Sequence, residues 1–378
     1  MFLHLMPDEK IINRTIHFFE LAYPGQNYYI ILLPDSLKKC VNVDCGISPN
    51  IKVLNINSDT ISEYIANSNC YDSIIVHYLS LEAALFINRV NHSNIYWIEW
   101  GGDMYNSFLR RKGFRLYSDE KLIAYFNHPY IPLWAQKLFR FIKESNSFRV
   151  RYNAVKKIKY FIPDSMQDEF PLFLKYYPEF SHLKYREFFY YPIQQIVGES
   201  NLNKRIVGNN VFIGNSASET NNHVEIFNLI KNKIGNKKVF VPLSYGSSKA
   251  YTNYILQMGD KILKSNFEPI TKFMPLSEYN ELFYSASHFI YGNYRQEAVG
   301  NILFAFYIGG KVYLHKNNPL YDFYKRIGLV LYAIEDIDSS SFTKPLNDMD
   351  YFNNKKIIEN TYSNDRLLEL IKKSFTND

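Results

Sequence analysis

Two turns in the second half of the sequence place glycine and short polar side chains between an apolar run and a helical segment. The first turn follows Val211–Ile213 and contains Gly214, Asn215, Ser216 and Asn221. Glycine lets a ligand approach the backbone, and the N-terminus of a following helix offers free N–H groups to an anion. Ordinary turn and N-cap chemistry is the competing explanation, because serine and asparagine are preferred capping residues. The spacing is neither GxGxxG nor a P-loop, which disfavours NAD binding and ATP hydrolysis by those routes.

The second turn follows an apolar run that ends at Tyr291, and it contains Arg295 and Gln296 before Gly300 and Asn301 open an apolar helix. A guanidinium fork matches phosphate oxygens, and the amides of the helix start can bind the same charge. A surface arginine beside a helix start is the alternative. Two such turns together predict a nucleoside-diphosphate site.

Three titratable side chains in the first half are candidates for a catalytic base. Asp103 follows an apolar run and two glycines, where it is either a base or the N-cap of the next helix. Glu99 lies inside that run and is either a base or the partner of a cation such as Arg14, because a buried carboxylate needs a partner. His77 ends another apolar run and is either a base or a histidine of the core.

Asn13 and Arg14 precede the amphipathic run that begins at Ile16, after a start of the chain that we expect to be irregular. An arginine at the first turn of the first domain could reach the phosphate of an acceptor substrate. A plain surface position explains Arg14 equally well.

The sequence predicts neither a metal ion nor another cofactor. The three cysteines, Cys40, Cys45 and Cys70, form no CxxC pair and have no histidine at ligand spacing, and their low number is typical of a reducing compartment. The two Asp-x-Asp strings, 336–338 and 348–350, fall late in the chain and are predicted to be solvated loop carboxylates. A diphosphate would therefore be stabilised by Arg295 and by helix N-termini.

Positive charge is concentrated in the basic segment, residues 110–159, which holds 13 Lys/Arg and 3 Asp/Glu in a chain of net charge +6. Within it, a helix is predicted at 131–143 with Trp134, Leu138, Phe141 and Ile142 on one face. This combination is typical of an interfacial helix that binds an anionic membrane surface. A surface helix with its apolar face in the core is the alternative. Nucleic acid is not expected, since no nucleic-acid motif accompanies the segment.

The elements that position these residues are short apolar strands alternating with helices, the pattern of a doubly wound α/β protein with buried parallel sheets. No apolar run reaches the ~18 residues of a bilayer-spanning helix, and we expect no signal peptide at the start. The polar stretch 192–209 predicts a boundary between two Rossmann-like lobes that face a central cleft. The predicted strands are Tyr28–Leu33, Lys52–Ile56, Ser73–His77, Ile95–Trp100, Lys159–Ile162, Glu187–Tyr191, Val211–Gly214, Lys238–Pro242, His288–Tyr291, Lys311–Leu314 and Gly328–Tyr332.

Three domains are expected. A domain that faces an acceptor substrate and the membrane spans 1–195, and a domain that binds a nucleoside diphosphate spans 205–350. A helical tail, 351–378, is expected to pack back on the first domain.

Five ordered groups of residues resemble the bacterial family 56 glycosyltransferases. They are Asn13-Arg14-Thr15 with Phe18-Phe19, Trp97 with Trp100-Gly101-Gly102-Asp103-Met104-Tyr105, Gly214-Asn215-Ser216 with Asn221, Val241-Pro242 with Tyr245, and Arg295-Gln296 with Gly300 and Asn318-Pro319. The resemblance implies a GT-B fold, a donor site lined by Gly214, Asn215, Ser216, Tyr245, Arg295, Gln296 and Gly300, and a match of Asp103 to the family's carboxylate. The sequence departs from the family pattern at Ile98 and at Glu297-Ala298.

What the resemblance implies for function is transfer of a hexose from a nucleotide-diphosphate sugar to a polyprenyl-diphosphate-linked oligosaccharide in bacterial surface polysaccharide synthesis. The family's founding activity uses dTDP-linked 4-acetamido-4,6-dideoxy-galactose in enterobacterial common antigen synthesis, and O-antigen or capsule synthesis is the alternative pathway. The enzyme would then sit peripherally on the cytoplasmic side of the inner membrane. Two other functions fit a two-lobed α/β chain: a non-catalytic sugar-nucleotide or glycan binding protein, and a sugar-nucleotide epimerase.

Overall fold

The computed structural model describes residues 1–37, 39–164 and 167–375. The chain divides into two compact units. Unit 1 comprises Met1–Phe114, Arg140–Tyr190 and the chain from Asn364, and unit 2 comprises Arg115–Phe139 and Tyr191–Ser363. Each unit is built on a parallel sheet, as the strand and helix alternation predicts.

Unit 1 holds a seven-stranded sheet in the order β3-β2-β1-β4-β5-β6-β7. The strands β1 to β7 are Phe2–Met6, Asn27–Leu33, Ile51–Asn55, Ser73–His77, Ile95–Glu99, Tyr160–Pro163 and Lys184–Tyr185. The helices of unit 1 are α1 (Ile11–Ala22), α2 (Asp59–Ala66), α3 (Leu81–Arg89), α6 (Ser145–Val155), α7 (Glu169–Tyr176) and α15 (Asn364–Ser374). The central strands are buried on both faces, which explains their near-continuous apolar sequences.

The expectation of an irregular start is wrong, because Phe2–Met6 forms β1, the strand between β2 and β4. The strand is not evident from the sequence because the polar His4 interrupts its apolar run. His4 is fully buried and hydrogen-bonds to Asn27 (3.2 Å) and His77 (3.1 Å), so its polar ring is satisfied inside the sheet.

Unit 2 holds a six-stranded sheet in the order β10-β9-β8-β11-β12-β13. The strands β8 to β13 are Asn210–Ile213, Val239–Pro242, Phe267–Ile270, Ala286–Tyr291, Lys311–Leu314 and Tyr332–Ala333. The helices of unit 2 are α4 (Glu120–Asn127), α8 (Ile193–Val197), α9 (His223–Ile230), α10 (Lys249–Leu263), α11 (Leu276–Tyr284), α12 (Val299–Tyr307), α13 (Pro319–Arg326) and α14 (Asp348–Thr361). The helix α5 (Leu133–Lys143) belongs to unit 2 up to Phe139 and to unit 1 from Arg140.

Two strand expectations need correction, and one edge strand was not expected. Residues 187–191 form no strand, and Phe188 makes only an isolated bridge to Asp164. The predicted strand at 328–332 begins only at Tyr332. The edge strand β10 was not expected from the sequence because it contains Pro269, which a sheet tolerates at its edge.

The division into units differs from the expected domain boundaries in two places. Residues 115–139 group with unit 2, where the ring of Phe126 packs on Tyr251 and Tyr254 at centroid distances of 5.4 and 5.1 Å. The first half of the expected tail, α14, packs against α12 inside unit 2.

The second half of the tail, α15, packs against α1 in unit 1, and Phe375 contacts Phe19 there. Residues 376–378 of the expected tail lie outside the described part of the chain. Among the described residues, no helix combines the length and the apolar character needed to cross a membrane.

Candidate active site

The strand order of unit 2 reverses between β8 and β11, since β9 and β10 follow on one side of β8 and β12 and β13 on the other side of β11. Ligands of doubly wound sheets bind at the carboxyl ends of the strands at such a switch point. Two segments leave the sheet there: the β8 turn, residues 214–222, and the β11 turn, residues 292–298. These are the two turns that the sequence marks for phosphate chemistry.

Asn221 organises the β8 turn from inside. Its amide oxygen accepts from the Asn215 N–H (3.3 Å), and its amide nitrogen donates to the Ser216 carbonyl (3.2 Å). Gly214 has a φ of +69°, and a Cβ at this position would lie 2.6 Å from Asn221 Oδ1. A side chain at Gly214 would therefore displace the amide that holds the turn.

Asn222, which the sequence reading did not select, ties the β8 turn to the β11 turn. Its backbone is left-handed (φ +50°), and its amide nitrogen donates to the Gly292 carbonyl (2.7 Å). The backbones approach so closely that a Cβ on Gly292 would lie 2.5 Å from the Asn221 carbonyl oxygen. The pair of adjacent asparagines before α9 is the sequence signal for this link.

An ion pair and a hydroxyl join the same two turns through side chains. Arg295 Nη2 lies 3.1 Å from Glu297 Oε2, and both side chains are 13% exposed. The Thr220 hydroxyl donates to that same Glu297 oxygen (2.6 Å). The guanidinium Nε of Arg295 is buried and has no hydrogen-bond partner among the described residues, so it remains available as a donor.

Asn318 positions the backbone that carries Arg295. Its amide nitrogen donates to the carbonyls of Asn293 and Arg295, both at 2.9 Å. Its amide oxygen accepts from the Leu320 N–H (3.0 Å) as the N-cap of α13. The start of α13 thereby fixes the β11 turn.

Several buried polar atoms at the ends of β8 and β11 lack a hydrogen-bond partner within the described part of the chain. They are Asn215 Oδ1, Tyr291 Oη, both amide atoms of Asn293 and Arg295 Nε. A buried polar group without a partner costs roughly 1–3 kcal/mol, so native proteins seldom leave several together. Their concentration at the switch point indicates a site built for a polar ligand.

The remaining predicted donor-site residues lie at the same edge of the sheet. Tyr245 follows β9 and its carbonyl accepts from the Ala217 N–H (2.7 Å) of the β8 turn. Gly300 and Asn301 stand in the first turn of α12, and Gln296 is buried in the β11 turn. The ten predicted donor-site residues are thus gathered at the carboxyl edge of the unit 2 sheet: Gly214, Asn215, Ser216, Asn221, Tyr245, Tyr291, Arg295, Gln296, Gly300 and Asn301.

Asp103 in unit 1 is fully buried in a single π-helical turn, Gly102–Asn106, and accepts three hydrogen bonds. The donors are the N–H groups of Leu79 (2.8 Å) and Trp100 (2.9 Å) and the indole of Trp97 (2.7 Å). Burial raises the pKa of Asp103, while these three donors act in the opposite direction. This geometry fixes the chain that follows β4 and β5.

His77 is also fully buried, with Nδ1 2.6 Å from the Tyr190 hydroxyl and Nε2 3.1 Å from His4. Burial, reinforced by the neighbouring His4, holds the pKa of His77 well below its ordinary value. The ring is therefore neutral and hydrogen-bonded within the core of unit 1.

Glu99, which the sequence interprets either as a base or as the partner of a cation, faces another carboxyl group, that of Glu169. Its Oε1 accepts from the Gly101 N–H, and both carboxyl groups are wholly buried. Burial, with the charges of Glu169 and Asp103, raises the pKa of Glu99, and burial likewise raises the pKa of Glu169. At least one of the pair is consequently protonated near neutral pH.

Within the described residues, no group of three or more His, Cys, Asp or Glu side chains could hold a metal ion.

The first turns of α1 carry the predicted acceptor residues. The side-chain amide of Asn13 binds the loop after β2: it donates to the Asn42 carbonyl (2.9 Å) and accepts from the Asp44 N–H (2.8 Å). Arg14 is half-buried beside it. Trp100, which the sequence did not indicate as a site residue, packs edge-on against Tyr190. Its buried indole nitrogen has no hydrogen-bond partner in the part of the chain that the structure describes.

The helix predicted in the basic segment is α5, and its apolar residues are not in the core. Trp134 is 71% exposed, and Leu138, Phe141 and Ile142 are each at least half exposed. Ala135 is the buried residue of this helix. The alternative that placed the apolar face in the core is therefore wrong for this helix.

The family model described as 4-alpha-L-fucosyltransferase, glycosyl transferase group 56, matches residues 148–365, more than half of the chain.

Solved structures with the same fold cover nearly the whole chain. A glycosyltransferase from Rickettsia africae is 13% identical with a TM-score of 0.63, covering 100% of this chain and 99% of its own. HepE from Anabaena, solved with UDP and glucose, is 10% identical with a TM-score of 0.63 and 98% coverage of both chains. Sucrose-phosphate synthase from Thermosynechococcus elongatus is 9% identical with a TM-score of 0.56, covering 98% of this chain and 97% of its own. These likenesses confirm the predicted GT-B class.

Proposed function

Since the chain belongs to glycosyl transferase group 56 and is a glycosyltransferase, we propose that it transfers a dideoxy-acetamido hexose from a dTDP-sugar to a polyprenyl-diphosphate-linked oligosaccharide. The observation that carries the proposal is Arg295: its buried Nε and the buried polar atoms around it at the switch point of unit 2 have no hydrogen-bond partners among the described residues. The deoxyhexose in the family description and the UDP in the HepE structure support a nucleotide-linked deoxy sugar. Family membership favours transfer over sugar-nucleotide binding alone and over epimerisation.

In the proposed reaction, an acceptor hydroxyl oxygen attacks the anomeric carbon of the donor. The bond from that carbon to the diphosphate breaks, and the nucleoside diphosphate leaves with the additional negative charge. Arg295 and the free N–H groups at the start of α12 would stabilise that charge, as fixed donors do at other sites of developing charge. Asn318 and Asn222 would keep the two turns in register around it.

A base must take the proton of the acceptor hydroxyl, and such a base typically contributes ~10²–10⁴-fold. Asp103 is our first candidate, with His77 and Glu99 as the alternatives. All three lie at the carboxyl ends of β4 and β5 in unit 1, which is the unit we assign to the acceptor with Asn13 and Arg14. The indole nitrogen of Trp100 is a further hydrogen-bond donor available to an acceptor there.

We further propose that α5 binds the anionic cytoplasmic face of the inner membrane, where a polyprenyl-linked acceptor resides. Four apolar side chains at least half exposed, next to Lys137, Arg140 and Lys143, match an interfacial helix that combines apolar insertion with attraction to acidic lipid. Replacing Trp134 and Leu138 by alanine should release the protein from phosphatidylglycerol vesicles. The matched control is Phe273→Ala, which removes an aromatic ring that is 77% exposed outside the basic segment. Equal vesicle binding by all variants would reject the docking helix.

The experiment that tests the function incubates the purified chain with dTDP- and UDP-sugars, with and without a polyprenyl-diphosphate oligosaccharide. Transfer predicts a longer lipid-linked glycan and free nucleoside diphosphate, both dependent on the acceptor. Affinity for the donor with no turnover would identify a binding protein. Conversion of the sugar nucleotide in the absence of acceptor would identify an epimerase.

A further inference from the structure

The carboxylate of Glu297 occupies the position where the two turns of the donor site converge. A single oxygen, Oε2, accepts the Thr220 hydroxyl from the β8 turn and pairs with Arg295 from the β11 turn. These contacts leave one negatively charged oxygen held by donors from both sides of the switch point. A phosphate oxygen at this place would use the same two donors.

The charge balance of the site depends on this contact. With Glu297 against Arg295, the pair carries no net charge, so its attraction for a diphosphate is weak. Bringing a second anion to the same guanidinium while Glu297 stays in place adds repulsion in a largely buried setting. Diphosphate binding therefore favours a state in which the carboxylate has left.

The backbone next to Glu297 is suited to such a change. Ala298, the N-cap of α12, has a left-handed φ of +61°, which costs a non-glycine residue roughly 1–2 kcal/mol. Strain of this kind concentrates at ligand clamps and switch regions. A rearrangement of Glu297 can release that strain at the start of α12.

We propose that Glu297 takes the place of the donor diphosphate in the ligand-free protein, and that diphosphate binding exchanges this carboxylate for phosphate oxygens on Arg295. The inference rests on the proposed donor site. The return of Glu297 to Arg295 after transfer then assists release of the nucleoside diphosphate product. A competing carboxylate lowers affinity for every diphosphate ligand and leaves the affinity for the uncharged nucleoside unchanged.

The test is calorimetric titration of dTDP and of thymidine into the full chain and three variants. Glu297→Gln and Glu297→Ala should bind dTDP about tenfold more tightly than the unmodified chain, because the competing charge is gone. Thymidine affinity should not change. Glu219→Gln, the matched control, removes a carboxylate of the β8 turn that accepts from Ser247 (2.5 Å), and it should tighten dTDP binding less than twofold.

Unchanged or weaker dTDP binding by both Glu297 variants overturns the inference, provided that each unfolds cooperatively in a thermal scan. Equal tightening by Glu219→Gln overturns it as well, because the effect would then come from net charge alone. If the unmodified chain binds dTDP and transfers sugar while the Glu297 variants fail to tighten binding, only this inference fails. If neither the unmodified chain nor the variants bind dTDP, the proposed donor site fails too.

Discussion

Replacing Arg295 by methionine should affect stability and donor binding through separate interactions. The substitution keeps an apolar stem and removes the cation from a pair in which both side chains are 13% exposed. Glu297 then keeps the Thr220 hydroxyl as its hydrogen-bond donor. Breaking a buried pair by removing one partner costs ~3–5 kcal/mol, and we expect ~2 kcal/mol at this slightly exposed site. The midpoint temperature of thermal unfolding should fall by about 2–4 °C for each kcal/mol lost in a domain of this size.

The loss of binding follows from different contacts. A hydrogen bond to a charged group contributes ~1.5–3 kcal/mol, and the guanidinium offers the diphosphate at least its unpartnered Nε and a terminal nitrogen. Losing both should weaken dTDP binding by ~100-fold or more. The double variant Arg295→Met with Glu297→Gln removes both charges, so its stability should return to within ~1 kcal/mol while its binding stays lost.

Stability is measured by urea unfolding followed by circular dichroism, and binding by calorimetric titration of dTDP. Wild-type affinity in Arg295→Met would refute the assignment of the guanidinium to the diphosphate. Recovery of binding in the double variant would show that the single variant had acted through misfolding.

Three further predictions follow from the buried groups of the two units. Asp103→Asn places an amide against three N–H donors and should cost ~1–3 kcal/mol in urea unfolding. Unchanged stability would contradict the contribution of these three hydrogen bonds to the fold. Gly214→Ala should weaken dTDP binding by ~10-fold or more, because the added Cβ displaces Asn221. The control Gly235→Ala has the same left-handed backbone but adds its Cβ in open space, so it should lower stability without affecting binding. Equal losses of binding by the two variants would contradict this. Because the pKa of Glu169 is raised in the folded state, its protonated carboxyl contributes fully to stability below the ordinary carboxyl pKa of 4.5, and this contribution is lost as pH rises towards the raised value. Glu169→Gln should therefore unfold at a higher urea concentration than wild type at pH 8 and lose most of that advantage at pH 4.5. Parallel pH profiles of the two proteins would contradict the assignment.

The parallel sheets could be predicted from the sequence wherever an apolar run is long and uninterrupted. Ser73–His77 and Lys311–Leu314 were predicted at their observed bounds. β1 was missed because a histidine interrupts it, and its burial depends on Asn27 and His77, which are distant in sequence. Local patterns do not contain such long-range pairing.

The donor site was easier to anticipate than the groups that support it. Gly214 and Arg295 stand at strand ends, where topology alone brings their turns together. The roles of Asn222, Asn318 and Glu297 depend on contacts across the switch point, which only the folded chain shows. The pairing of Glu99 with Glu169 was likewise beyond the sequence, which left open a base and the partner of a cation.

The central claim is that unit 2 holds a nucleoside diphosphate through Arg295 and main-chain amides without a divalent ion. Calorimetric titration of dTDP into the full chain in the presence of EDTA tests it most directly. The account predicts saturable one-site binding in EDTA that Arg295→Met abolishes and that added magnesium leaves unchanged. Binding that appears only after magnesium or manganese is added, or that survives the loss of the guanidinium, would contradict it.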